Sequence, residues 1–123
     1  MRNLKSYEDL LVYQKADALA LNVYLLANKF PKTELYGLTS QLRRSILSVP
    51  ANIVEGFARK GQKEFIQFLY ISLASLAESE YYIKFAFKLD FIDQDERDKI
   101  LEMTLEVGKM LTGLIKSLKS KIK

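Results

Sequence analysis

Residues 34–59 read ELYGLTSQLRRSILSVPANIVEGFAR, and apolar side chains recur along this segment at spacings of three and four residues. Such spacing places side chains on one face of an α-helix. The stripe consists of Leu35, Leu38, Leu42, Ile46, Val49, Ile53 and Phe57. The segment therefore predicts a helix of about residues 34–59 with one face in an apolar core.

The same segment predicts where this helix begins, bends and ends. Thr33 is a favoured N-cap residue, and Gly61 follows Arg59 and Lys60 as a C′ stop. Pro50 lies inside the stripe and lacks the N–H that a helix interior uses, so we expect a kink there. A break into two helices at Pro50 is the alternative, but the apolar stripe continues in phase across it.

Three further helices surround this one in the sequence. The predicted ranges are about 7–29, 63–88 and 94–120. Ser6 with Asp9, and Asp93 with Glu96, have the spacing of capping boxes at helix starts. Pro31 ends the first helix, because the residue before a proline avoids helical geometry.

The connections between these helices are short, and short connections between long helices make neighbours antiparallel. Ser72, Ser75 and Ser79 are small and indicate a close approach by the third helix. The sequence therefore predicts an all-α fold, an up-down-up-down antiparallel four-helix bundle that forms a single domain over residues 1–123.

Composition restricts the classes of function. The chain of 123 residues has no Cys and no His, which removes the thiolate nucleophile, the commonest general base and the commonest metal ligands. No glycine-rich phosphate loop is present. A Ser–Lys pair is the remaining catalytic alternative. We expect a non-enzymatic protein with no cofactor and no metal.

The sequence also bears on location. No apolar run approaches the roughly 18 residues of a membrane span, and no apolar segment precedes Glu8 and Asp9 as it would in a signal peptide. We therefore expect a cytoplasmic protein that does not enter a membrane.

Apolar side chains are more widely spread than one bundle core requires. The first and third predicted helices carry broad apolar arcs, and the second has a further patch of Tyr36, Leu47 and Val54. Large exposed apolar patches usually mark interfaces, so we expect self-association. The alternative is irregular packing, with aromatic rings partly exposed at the rim.

Basic residues exceed acidic residues and give a formal net charge of +4. The candidate nucleic-acid contacts are Arg43, Arg44, Arg59, Lys60, Lys63, Lys109, Lys116 and Lys119. Lys109, Lys116 and Lys123 share one face of the fourth helix because they are seven residues apart. A basic surface of this kind binds phosphate backbones. The alternative is that lysines at the end of this helix complement its macrodipole.

Several segments, read together, resemble the 23S rRNA intervening-sequence protein family over nearly the whole chain. They are Leu11-Val12-Tyr13-Gln14-Lys15-Ala16, Phe30-Pro31, Glu34-Leu35-Tyr36-Gly37-Leu38, Phe65-Ile66-Gln67-Phe68-Leu69 and Ser75-Leu76-Ala77-Glu78. The specific part is Gln41-Leu42-Arg43-Arg44 with Asn52-Ile53-Val54-Glu55-Gly56. Many members have Trp where this chain has Tyr13, which changes a packing residue.

The resemblance implies a four-helix bundle and a pentameric ring, as in the related accessory protein of diversity-generating retroelements. That relative has a basic surface, binds nucleic acid and partners a reverse transcriptase. Arg43, Arg44, Asn52 and Glu55 match the family motif. We interpret Asn52 and Glu55 as structural or interface residues, and expect Asn52 to satisfy carbonyls freed by Pro50.

Two functions remain open. The first is a homo-oligomeric adaptor, possessing no enzymatic activity, that binds RNA or DNA through basic patches without base-specific readout. The second is a protein–protein interaction scaffold with no role in nucleic-acid binding. Salt-sensitive binding distinguishes the first from the second.

Overall fold

The computed structural model describes residues 5–122, and these residues form four helices and no strand. The helices are α1 (Leu11–Leu26), α2 (Leu38–Phe57), α3 (Gln62–Lys88) and α4 (Gln94–Ser120). The all-α class and the four-helix bundle predicted from the sequence are confirmed.

Each helix packs against two others. Helix α1 contacts α2 and α4, and α3 contacts the same two helices. Hydrogen bonds join Ser45 of α2 to Ser79 of α3, and Ser48 of α2 to Ser75 of α3. Residue numbers therefore fall along α3 as they rise along α2, so these two helices are antiparallel. The up-down-up-down order of all four helices and the kink at Pro50 remain predictions.

The first helix begins later than the sequence predicted. The Ser6–Asp9 capping box is present, but it caps a 3₁₀ turn at Tyr7–Asp9. Leu10 then adopts an extended conformation with its side chain buried, and α1 begins at Leu11. A second 3₁₀ turn, Ala27–Lys29, follows α1. A capping box can satisfy the first N–H groups of a 3₁₀ turn as well as those of an α-helix, so this sequence pattern does not distinguish the two.

The predicted cap and stop of the second helix were both wrong. Residue Thr33 lies in a separate 3₁₀ turn, and the N-cap of α2 is Gly37. The carboxylate of Glu34 accepts the N–H of Leu38 at 3.2 Å, and so supplies the cap from outside the helix. Helix α2 ends at Phe57, before the predicted stop, and Gly61 is instead the N-cap of α3.

The core contains most of the predicted stripe. Leu42, Ile46, Val49 and Ile53 are fully buried, whereas Leu35 lies before the helix and is exposed. Helix α2 passes through Pro50 without a break, which excludes the two-helix alternative.

Serines allow α2 and α3 to approach closely, as predicted. Ser72 and Ser79 are completely buried, and the Ser72 hydroxyl donates to the carbonyl of Val49 at 2.6 Å. The expectation for Asn52 was wrong: its amide donates to the carbonyl and hydroxyl of Ser48, whereas Pro50 frees the carbonyl four residues before itself.

The turn between α3 and α4 is fixed from both sides. Asp90 adopts a left-handed conformation with φ 62°, and the N–H of Phe91 donates to the carbonyl of Ala86 at 3.0 Å. This is the hydrogen bond of a Schellman ending. The predicted Asp93–Glu96 capping box then begins α4. The turn positions the start of α4 beside the end of α1.

Candidate nucleic-acid interface

Two lysines from different helices line one surface depression. Lys63 lies in the first turn of α3 and Lys119 in the last turn of α4. Together with Ile66, Gln67 and Ile122 they line a depression of about 340 Å³. Because α2 ends and α3 begins at this end of the bundle, the depression lies beside the α2–α3 turn.

An aromatic ring adjoins the second lysine. The Lys119 ammonium donates to the hydroxyl of Tyr70 at 2.6 Å, and its Nζ lies 5.1 Å from the centre of the ring. Tyr70 is 46% exposed, so it contacts both the lysine and solvent. Tyr70 was not predicted from the sequence, because its partner Lys119 is far away in the chain.

The α2–α3 turn adds two more cations. The guanidinium of Arg59 lies 4.9 Å from the ring centre of Phe68 and 3.9 Å from a carboxylate oxygen of Glu64. Residue Lys60 is exposed in the turn itself. We call Arg59, Lys60, Lys63 and Lys119 the basic end. Within residues 5–122, the three lysines of the basic end form no ion pair.

The other two lysines predicted on α4 lie along a different surface. Lys109 and Lys116 line a groove of about 520 Å³ between α3 and α4, whose apolar lining includes Leu73, Leu76 and Leu105. The predicted face of α4 is thus divided between this groove and the basic end. Lys123 lies outside the described residues.

The two motif arginines lie apart from the basic end. Arg43 donates to the carbonyl of Tyr24 and the side chain of Asn28, and its guanidinium lies 4.4 Å from the Tyr24 ring centre. Arg43 therefore stabilises the contact between α2 and α1. Its Nε is buried and has no hydrogen-bond partner among residues 5–122. Arg44 is exposed and donates to Gln41 at 2.6 Å. A role for either arginine in binding remains a prediction.

The predicted interface residues differ in exposure. Tyr36 is 92% exposed and Leu47 is 47% exposed, whereas Val54 is half-buried. Asn52 is half-buried and held by Ser48, and Glu55 is exposed. The broad apolar arc predicted for α1 includes three exposed leucines, Leu11, Leu21 and Leu25, that were not singled out from the sequence.

Perturbed titratable groups lie outside the basic end. A hydrogen bond to Glu96 raises the pKa of Lys29, and the same bond, helped by the Asp93 N–H, lowers the pKa of Glu96. A hydrogen bond to Glu78 raises the pKa of Tyr82. The part of the chain that the structure describes has no cluster of three potential metal ligands and no helix suited to crossing a membrane.

Comparison with known proteins identifies the family. No curated protein matches the chain. A crystal structure of a protein with unknown function, from the S23 ribosomal protein family of Bacteroides thetaiotaomicron, superposes with a TM-score of 0.81 at 25% sequence identity. The match covers 86% of this chain and 99% of that one. The family model described as 23S rRNA-intervening sequence protein matches residues 8–113, and the chain belongs to that family.

Proposed function

We propose that this protein is a non-enzymatic, homo-oligomeric adaptor that binds the phosphate backbone of RNA or DNA at its basic end. The observation that carries the proposal is the shared depression of Lys63 and Lys119, which belong to different helices and form no ion pair with a described residue. Ammonium groups that line one depression without an acidic partner favour an anionic ligand.

The chemistry of the basic end suits backbone contact rather than base recognition. Three of its four cations are lysines, which carry a compact charge on a flexible chain, whereas base recognition uses planar side chains with fixed donors. The one planar side chain, Arg59, already lies against the Phe68 ring and the Glu64 carboxylate. The exposed part of Tyr70 adds a ring on which an unpaired base stacks whatever its identity. The proposed binding is therefore tolerant of sequence.

Self-association forms part of the proposal and multiplies this surface. Each copy in a ring would present one basic end, and the summed charge would strengthen contact with a long polyanion. The pentameric ring, and the relation to the accessory protein of diversity-generating retroelements, come from the family resemblance.

The proposal is tested by fluorescence anisotropy with labelled structured RNA and labelled duplex DNA, between about 50 and 200 mM salt. The test variant is Lys63→Glu with Lys119→Glu. The control is Lys88→Glu with Lys99→Glu, two exposed lysines near the α3–α4 turn. Both variants make the same change to the net charge, so they differ only in where it changes.

We expect wild-type affinity to fall log-linearly with salt. The test variant should lose at least tenfold in affinity and flatten the salt slope by about one unit for each phosphate contact removed. The control should retain most of its binding. Absence of binding at low salt, or equal losses in the two variants, would contradict the proposal and leave the protein–protein scaffold as the function to test.

A further inference from the structure

Helix α1 carries a second apolar row on the side that faces away from the core. Its apolar members are Leu11, Ala18, Leu21 and Leu25, and the polar Gln14 lies in the same row with its amide donating to the carbonyl of Glu8. Its spacing alternates between three and four residues, which is the spacing of a helix-packing seam. The three leucines are 59%, 61% and 56% exposed in chain order. We call this row the α1 seam.

The core residues of α1 lie on the opposite side of the helix. Val12, Ala16, Leu19 and Val23 are buried against the rest of the bundle. Because these residues supply the packing that the bundle needs, the α1 seam contributes nothing to the core of its own chain. Three exposed leucines in one row are an unpartnered helix face, the kind of surface that a second helix covers.

The groove between α3 and α4 is a concave surface to which such a helix could bind. Its lining includes Leu73, Leu76 and Leu105, with Gly108 and Gly113 on the α4 side. A methyl group added at Gly113 would meet nothing within 4 Å. Glycine inside a helix costs about 1 kcal/mol relative to alanine, so packing within this chain does not explain Gly113. The missing side chains leave room for a helix to approach closely.

The groove and the α1 seam are similar in length, and the α4 side of the groove is opposite in charge to an acidic residue beside the seam. At 1.5 Å per residue, the groove from Thr104 to Lys116 extends for about 18 Å, and the seam from Leu11 to Leu25 for about 21 Å. Lys109 and Lys116 make the α4 side of the groove basic, whereas Glu80 on the α3 side forms an ion pair with Lys84 of the same helix at 3.8 Å. The exposed Asp17 flanks the seam and has no ion pair among residues 5–122, whereas Lys15 is already turned toward Glu106 of its own chain at 3.8 Å.

We propose that the α1 seam of one copy packs into the α3–α4 groove of the next copy. This inference rests on the self-association in the proposed function and specifies its interface. The seam and the groove are different surfaces, so the contact is head-to-tail and closes into a ring when the rotation permits. Long lysine side chains at the groove keep their ammonium groups in solvent. The basic end lies outside both surfaces.

Two variants block the two sides of this interface separately. Leu21→Gln with Leu25→Gln removes the apolar contacts of the seam without changing the charge. Gly113→Arg fills the groove at a position where the chain itself leaves space. Ile71→Gln is the matched control, because Ile71 is 47% exposed on α3 and does not line the groove. Leu11→Gln and Thr112→Arg form a second pair in case either first variant fails to fold.

The measurement is sedimentation velocity, with helicity checked by circular dichroism. We expect wild type and Ile71→Gln to form the same oligomer, and each blocked variant to sediment as a monomer of 14.2 kDa. An equimolar mixture of the two blocked variants retains one intact seam and one intact groove. It should therefore form a heterodimer of twice the monomer mass and nothing larger.

Other results overturn the inference in distinguishable ways. A wild-type oligomer that survives Gly113→Arg and Thr112→Arg, or blocked variants that do not pair when mixed, would place the interface elsewhere, for example in a symmetric α1–α1 contact. A monomeric wild type would overturn both this inference and the self-association in the proposed function. Nucleic-acid binding by the basic end is measured independently of these outcomes.

Discussion

At the scale of single residues, Gly56 shows packing overriding helix propensity. It is buried inside α2, where alanine would ordinarily be favoured by about 1 kcal/mol. A methyl group there would lie 2.7 Å from Cβ of Phe68 and 2.8 Å from Cδ1 of Phe65. The Phe68 contact is close to the backbone of α3, so relief requires the two helices to separate. We expect Gly56→Ala to lower the free energy of unfolding by about 1–3 kcal/mol in urea denaturation.

Gly61→Ala is the matched control, because a methyl group at the N-cap of α3 would meet nothing within 4 Å. Its free energy of unfolding should stay within about 0.5 kcal/mol of wild type. Equal effects at the two glycines, or stabilisation by Gly56→Ala, would show that α2 and α3 are less closely packed than this structure indicates.

At the scale of helices, the sequence predicted interiors better than ends. The stripe from Leu42 to Ile53 was readable because one buried face repeats a local pattern. The start of α2 was not readable, because its cap comes from the Glu34 side chain across an intervening turn. The Ser6–Asp9 and Asp93–Glu96 boxes carry the same local signal, yet only the second begins an α-helix. After the Ser6–Asp9 box, the buried and extended Leu10 separates the 3₁₀ turn from α1. The burial of Leu10 depends on tertiary packing, which the local sequence pattern does not contain.

The contact between α1 and α4 gives a prediction about acid stability. Lys29, just after α1, forms an ion pair with Glu96 in the first turn of α4, and this bond is the main cause of the lowered pKa of Glu96. As the pH falls, the Glu96 carboxyl binds a proton in the unfolded chain before it does so in the folded protein, at a pH near its ordinary pKa of 4.5. The stabilisation is therefore complete above that pH and is lost as the pH falls through the lower, folded-state pKa.

Glu96→Gln tests this contact, because glutamine still accepts the Asp93 N–H as the third residue of a capping box. At neutral pH we expect the variant to unfold at a lower urea concentration than wild type. The difference in unfolding urea concentration between wild type and variant should narrow as the pH falls well below 4.5. Glu102→Gln removes one exposed carboxylate from the same helix and controls for net charge. A Glu96→Gln difference that is constant from pH 7 to strong acid would exclude the ion pair as its source.

At the scale of the whole molecule, the candidate basic residues were predicted from the sequence, but their grouping on the surface depends on the fold. Lys63 and Lys119 are distant in the chain, and only the meeting of α3 with α4 brings them to one depression. Arg43 and Arg44 are adjacent in the sequence but have different surroundings, because successive side chains of a helix point about 100° apart. A run of basic residues in a helical protein therefore does not define a surface.

Assembly and nucleic-acid binding are separable properties of this arrangement, and their combination gives a final prediction. Leu21→Gln with Leu25→Gln leaves the net charge and the basic end unchanged but removes the proposed interface. On a short oligonucleotide that reaches one basic end, the variant should bind as wild type does. On a long RNA that reaches several ends of one ring, wild type gains effective concentration for each further contact, and the variant should bind about 10²-fold or more weakly.

Anisotropy titrations of the two RNA lengths at one salt concentration measure this difference, with protein concentrations expressed per chain. Equal losses on both lengths would mean that the α1 seam itself touches nucleic acid. Equal affinity of variant and wild type on the long RNA would mean that one copy suffices for binding. Only a loss confined to the long RNA identifies the ring as the binding unit, because the chemistry of each single site is the same in both proteins.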